Sequence, residues 1–215
     1  MVIFSAPTLT NIKDGFPNQR LTPIVGEPSY TTIKKMEREL VPNSKLQRNP
    51  NSLYGYLQNM TQPAIYHALT NENLAIPPDP GDQAAYPAGT DELQCAQLNQ
   101  NYGQLKIARI TYLYENMNQA LLSLIVPTID PIYTSGIITG AALYRQHKVL
   151  NVLAYLYNTY GRITTINLMR NEQEMGKPYD PSQSIMILFS QITDGSEYAQ
   201  AGSNPFSVPQ LVRKG

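Results

Sequence analysis

Apolar residues recur along this chain at intervals of three and four, the spacing of a helix with one buried face. No stretch of any length alternates at the interval of two that marks a half-buried strand. From Thr31 or Thr32, Ile33, Met36 and Leu40 follow at helical spacing, and Pro42 is expected to end that helix. Thr90, followed by Asp91 and Glu92, offers an N-cap oxygen and acidic groups at the positive end of a helix dipole. No proline then appears until Pro127, so one long helix is expected over 91–126, roughly 50 Å if unbroken. A further helix is expected from Ala141 to about Tyr160, with Leu143, His147, Leu150, Leu153, Ala154 and Tyr157 as its stripe and Gly161 as its stop. Another runs over Ile166–Met175, capped by Thr164 or Thr165 and closed by Gly176 and Pro178. Ile185, Leu188, Phe189 and Ile192 form the stripe of the next, and a last short helix starts near Ser207.

Prolines punctuate this pattern. Pro7, Pro17, Pro23 and Pro28 make residues 1–30 an extended, Pro-rich arm that gains order only by lying on something else. Ala75-Ile76-Pro77-Pro78-Asp79-Pro80-Gly81 can be neither helix nor central strand, so 75–90 is a Pro/Gly-rich linker or surface loop. Between them lies a small helical segment, 31–74, and beyond them a helical domain, 91–215. The fold class is all-α, a multi-helix, bundle-like domain preceded by the extended arm.

Composition narrows what such a helical chain can do. Sixteen basic and sixteen acidic residues cancel, and only 15% of the 215 residues are charged. A module that grips nucleic acid through its phosphates normally carries a basic excess, whereas a subunit that associates with its own kind tolerates a neutral surface. The densest basic cluster, Lys34, Lys35 and Arg38, is interrupted by Glu37 and Glu39 and reads first as a solvated helix face, with nucleic-acid contact as the lesser alternative. Cys95 is the only cysteine, so neither an internal disulfide nor a four-cysteine zinc site can form. Met1 to Pro7 lacks the basic and apolar regions of a secretory signal, and the apolar run Ala120–Val126 is too short to span a bilayer. An intracellular, cytoplasmic protein without a membrane partner is expected.

Catalytic patterns are looked for and not found. His67 and His147 stand alone, without a second metal ligand at helical spacing, so neither metal nor other cofactor is implied. Gly136-Ile137-Ile138-Thr139-Gly140 lacks the lysine of a phosphate loop, and Thr134-Ser135-Gly136 has threonine where an aspartic protease needs its aspartate. Glu172 and Glu174 lie in polar helix sequence, the setting of ordinary exposed acids. The chain is therefore read as no enzyme. Tyrosine is the unusual feature, fifteen against four phenylalanines and no tryptophan. Such rings suit a core that keeps one polar end at water, or a protein contact surface.

The order of segments resembles the Gag-like polyproteins of long-terminal-repeat retrotransposons, particularly copia-type elements of algae and other protists. The matching pieces are Leu21-Thr22-Pro23-Ile24-Val25-Gly26-Glu27-Pro28, Gly55-Tyr56-Leu57, the Pro-Pro-Asp-Pro-Gly linker, Gln119-Ala120-Leu121-Leu122 and Val149-Leu150-Asn151-Val152-Leu153. Tyr160-Gly161-Arg162-Ile163, Pro178-Tyr179-Asp180-Pro181, Ala199-Gln200-Ala201-Gly202 and Gln210-Leu211-Val212 continue the series. The resemblance implies a helical capsid region that multimerises around element RNA. The Cys/Cys/His/Cys zinc knuckle of many Gag proteins is absent, so RNA contact is expected from regions outside this chain. An RNA- or DNA-binding adaptor that does not assemble is the alternative. For assembly, the candidate residues are Tyr112, Leu113, Tyr114, Tyr155 and Leu156, because consecutive apolar groups cannot all point inward from one helix. Either the Pro-rich arm folding back or a neighbouring subunit must cover the outward ones.

Overall fold

The computed structural model describes residues 8–46, 52–73, 85–111, 114–137 and 147–212, the side chains of 105–111, 114 and 212 excepted. The described residues form an all-α fold. Its helices are α1 (Leu9–Asp14), α2 (Tyr30–Leu46), α3 (Pro63–Thr70), α4 (Glu92–Thr111) and α5 (Tyr114–Ile125), then α6 (Pro131–Thr134), α7 (Val149–Tyr160), α8 (Thr165–Met175), α9 (Ile185–Ala201) and α10 (Val208–Val212). Short 3-10 turns cover Leu57–Asn59 and Val126–Thr128.

The centre is α5. Ala120, Leu121 and Leu122 are consecutive and all buried, as are Met117, Leu124 and Ile125, so this helix buries more than one face and needs cover on several sides. That cover comes from α1, α2, α7 and the two 3-10 turns, all of which pack against it. From α2 come Ile33, Met36 and Leu40, and from α7 Val149, Val152, Leu153 and Leu156.

Residues 8–29 lie on this body, though not extended throughout. They contain α1, and Ile12, Phe16, Leu21 and Ile24 enter the same core. The segment is stitched down by polar side chains where its backbone has no helix of its own. The buried Asn43 amide accepts from the Asn18 N–H at 2.9 Å and donates to the Asn18 carbonyl at 2.8 Å, much as a neighbouring strand would. The Glu39 carboxylate accepts from the Thr22 N–H at 2.7 Å and the Thr22 hydroxyl at 2.6 Å, and the Ile24 N–H reaches the Thr128 carbonyl at 2.8 Å.

The same stitches reach the turn of α2 that holds its proline. Expected to stop at Pro42, the helix continues to Leu46. A proline inside a helix removes one N–H and crowds the carbonyls of the turn before it. In that turn the Asn18 side-chain amide donates to the Glu39 carbonyl at 2.7 Å, a bond from outside the helix next to the Arg38 carbonyl that Pro42 cannot serve. At the other end, Ser29 and Thr32 exchange side-chain and backbone bonds in the manner of a capping box.

Other expectations shift by small steps. Helix occupies both Glu92–Thr111 and Tyr114–Ile125, the two residues between them lying outside the described ones, as does 75–84 of the expected linker. The cap of α4 is Asp91 and not Thr90: Asp91 Oδ1 accepts from the Gln94 N–H at 2.8 Å, while the Thr90 hydroxyl turns back to the Pro87 carbonyl. The start expected at Ala141 lies outside the described residues, yet α7 itself begins only at Val149, after an extended Lys148. Asn118 of α5 holds that start, donating to the His147 carbonyl and accepting from the Val149 N–H, both at 2.8 Å. The buried stripe of α7 is Val149, Val152, Leu153 and Leu156, one step round from the expected Leu150, Leu153, Ala154 and Tyr157. This rotation leaves the tyrosines at the margin, where their hydroxyls reach polar partners.

Replacing Asn43 with alanine leaves the Asn18 N–H and carbonyl without their partner beside a buried site. A loss of about 2–3 kcal/mol is expected from two such groups. Thermal melts should show it, together with faster tryptic cleavage at the exposed Arg20. Unchanged melting and cleavage would show that the segment is held by its apolar residues alone.

Candidate interaction surface

Helical spacing gathers Tyr30, Lys34, Glu37 and Arg38 on one face of α2. The Tyr30 ring lies 5.6 Å from that of Tyr157 on α7 and 5.3 Å, edge-on, from that of Tyr198 on α9. The Tyr157 hydroxyl donates to Glu37 Oε2 at 2.7 Å, and Lys34 Nζ reaches the same oxygen at 3.1 Å. Arg38 forks between Asp194 at 2.8 Å and Glu197 at 2.9 Å, both on α9. Tyr30, Lys34 and Arg38 with Asp194, Glu197 and Tyr198 wall a groove of about 190 Å³ between α2 and α9. The Arg38 clamp is about half exposed, so it contributes at most about 1 kcal/mol, but it sets which face of α9 meets α2.

Beyond this joint, α8 and α9 form an antiparallel hairpin. Each end is set by local chemistry: Thr164 and Ser184 cap the starts with their hydroxyls, and Gly176 and Gly202 follow the ends. The two helices approach closely because α9 presents Gly195, Ala199 and Gly202 at intervals of four and three. A Cβ on Gly195 would lie 2.2 Å from Met175 Cγ, and one on Gly202 would lie 2.7 Å from Leu168 Cδ2. Asn171 donates to the Gly195 carbonyl at 2.8 Å, and Gln191 reaches the Glu174 carbonyl at 2.7 Å.

That last bond defines the geometry of the free end. Gln191 is already level with the end of α8, so the residues of α9 before it extend past their partner helix. The difference in length, 17 residues against 11, amounts to about 9 Å. Ile185, Met186, Ile187 and Phe189 lie on this overhang and stay exposed, while Leu188 is buried. Ile185 and Phe189, expected in the buried stripe, thus stay exposed where α8 no longer runs beside them. A separate apolar face lies on α3, where Ile65 and Leu69 are exposed and only Tyr66 and Thr70 are buried.

Among the residues expected at an assembly interface, Leu156 is fully buried in the core and offers no surface. Tyr155 is half-buried against Tyr160. Tyr112, Leu113 and the Tyr114 side chain lie outside the described residues. Lys34, Lys35 and Arg38 do come together, but Glu37 pairs with Lys34, and Asp194 and Glu197 pair with Arg38. The overhang escaped the sequence reading, although its signal was present. Five consecutive apolar residues, Ile185 to Phe189, exceed what one helix face can bury. Among the described residues, no group of His, Cys, Asp and Glu could hold a metal ion, and no helix is long and apolar enough to cross a membrane. Comparison with known proteins finds no family model, curated protein or solved structure that matches this chain.

Two measurements probe the joint and the hairpin. Gly195→Ala should gain about 1 kcal/mol in helix propensity but force a methyl into Met175, an overpacking cost of about 1–3 kcal/mol. Net destabilisation is expected in urea unfolding, with the loss reduced in the Gly195→Ala/Met175→Ala pair relative to the sum of the single changes. A gain in stability for Gly195→Ala would show that the helices are not in this contact. For pH, burial and the neighbouring Glu37 push the Tyr157 phenol well above its ordinary value of 10.0, and burial also raises Tyr30 and Tyr198. The folded protein therefore keeps protons that the unfolded chain releases. This stability is fully present below about pH 10 and is lost progressively as pH rises above it. Tyr157→Phe should make the alkaline fall of the urea midpoint shallower than in the natural protein. Parallel curves would show that Tyr157 ionises freely.

Proposed function

We propose that this chain is a structural, Gag-like capsid protein that assembles with copies of itself inside the cell. In this reading it encloses retrotransposon RNA held by regions outside the chain. The observation that supports the reading best is a set of uncovered apolar side chains on a body with a buried core, two groups of which stand out. Ile65 and Leu69 on α3 and the overhang of α9 lie on different helices, remote in sequence. A subunit with two contact faces can build rings or shells, whereas one face gives only a dimer. The sequence resemblance supplies the specific class, and the zero formal charge suits close packing of like subunits.

Particle mass over a range of concentration and salt, with electron micrographs of the same samples, tests this. Concentration-dependent oligomers or particles are expected, and a strict monomer at high concentration overturns the proposal. The same chain should bind single-stranded RNA only weakly at physiological salt. Tight binding that falls steeply with added salt would favour a nucleic-acid adaptor instead.

A further inference from the structure

The overhang of α9 carries a surface whose chemistry points to its occupant. Ile185, Met186 and Phe189 fall at i, i+1 and i+4 and line one flank of the helix. They are 48, 62 and 56% exposed. At roughly 200 Å² for a fully exposed large side chain, that is about 330 Å² of apolar surface. Interfaces between identical subunits are about 65% apolar, so a contact centred on this flank reaches about 500 Å² per copy and about 1,000 Å² in all. That is the threshold for a specific contact and the range of weak, reversible association.

Charge selects among partners of that size. From Pro181 to Thr193 the chain carries no charged residue. In a two-fold contact residue i meets j as j meets i, and the residues at the axis meet themselves, so a charge at the centre of the flank would face its like. This flank has none, and Asp194 at its inner border is already paired with Arg38 of the same chain. Nothing in the flank offers a charged handle to a partner of opposite sign. Gln183, Ser190 and Thr193 supply only neutral polar groups around the apolar centre. We infer that this flank is a two-fold contact in which α9 packs antiparallel against α9 of a second copy. The inference rests on the assembly reading and names one of its contacts.

The test uses the whole chain. Sedimentation velocity from low micromolar to near-millimolar concentration gives the strength of self-association of the natural protein and of Phe189→Glu, with circular dichroism to confirm that both are folded. Self-association about tenfold or more weaker in Phe189→Glu is expected, since two buried carboxylates would then face each other. In a Cys95→Ser background, Phe189→Cys should form a disulfide with its own copy under mild oxidation. Ile65→Cys should not link to Phe189→Cys when the two chains are mixed. Assembly that persists undiminished in Phe189→Glu overturns this contact and leaves the assembly reading standing. Preferential linkage between positions 189 and 65 also overturns it, and assigns the flank to a head-to-tail contact with α3. A natural protein that stays monomeric throughout overturns both.

Discussion

A helix that is apolar on more than one face cannot lie at a surface, and α5 imposes that constraint on most of this chain. With Ala120, Leu121 and Leu122 buried in succession and Met117, Leu124 and Ile125 beside them, several flanks need neighbours at once. Each large side chain gains roughly 1.5–3 kcal/mol from full burial, so a missing neighbour is expensive. The neighbours are α1, α2, α7 and the 3-10 turns, and each is placed by what it must cover. The Pro-rich N-terminal segment belongs to that set. Its prolines prevent it from making a long helix of its own, so it lies on α2 and borrows hydrogen bonds from Asn43, Glu39 and Thr128.

The C-terminal hairpin obeys a different rule. It is held chiefly by itself, through the small face of α9 and the side chains of Leu168 and Met175. The joint to the body described here is aromatic and ionic, made of Tyr30, Tyr157, Tyr198 and the Arg38 clamp. Contacts of that kind orient two parts more than they bind them, because exposed ion pairs contribute little. The division has a consequence for the surface. Where α5 forces cover on itself, the hairpin has no such demand on the body, and the longer of its two helices ends beyond the shorter. Its apolar residues Ile185, Met186, Ile187 and Phe189 therefore stay exposed.

Local chemistry made much of this legible from the residues in order. Helix ends at Gly161, Thr164, Gly176 and Ser207 were readable because a cap or stop depends on a few adjacent backbone and side-chain groups. The all-α class followed from spacing alone, since an interval of three and four cannot sit still as a strand. What spacing could not decide was which apolar stripe faces inward when a helix has more than one. The face of α7 turned on where Asn118 pins its start, and that of α9 on where α8 runs out. Pro42 lies mid-helix in a turn that Asn18, 24 positions earlier, ties down through the carbonyl of Glu39. Arg38 is balanced by carboxylates 156 and 159 positions later in the chain. By itself, then, the sequence determined the helical class and the ends at Gly161, Thr164, Gly176 and Ser207, because those depend on groups within a few residues of each other. Only the tertiary structure decided which faces are core, joint or free surface, because a face is defined by its neighbours, and these come from distant parts of the chain.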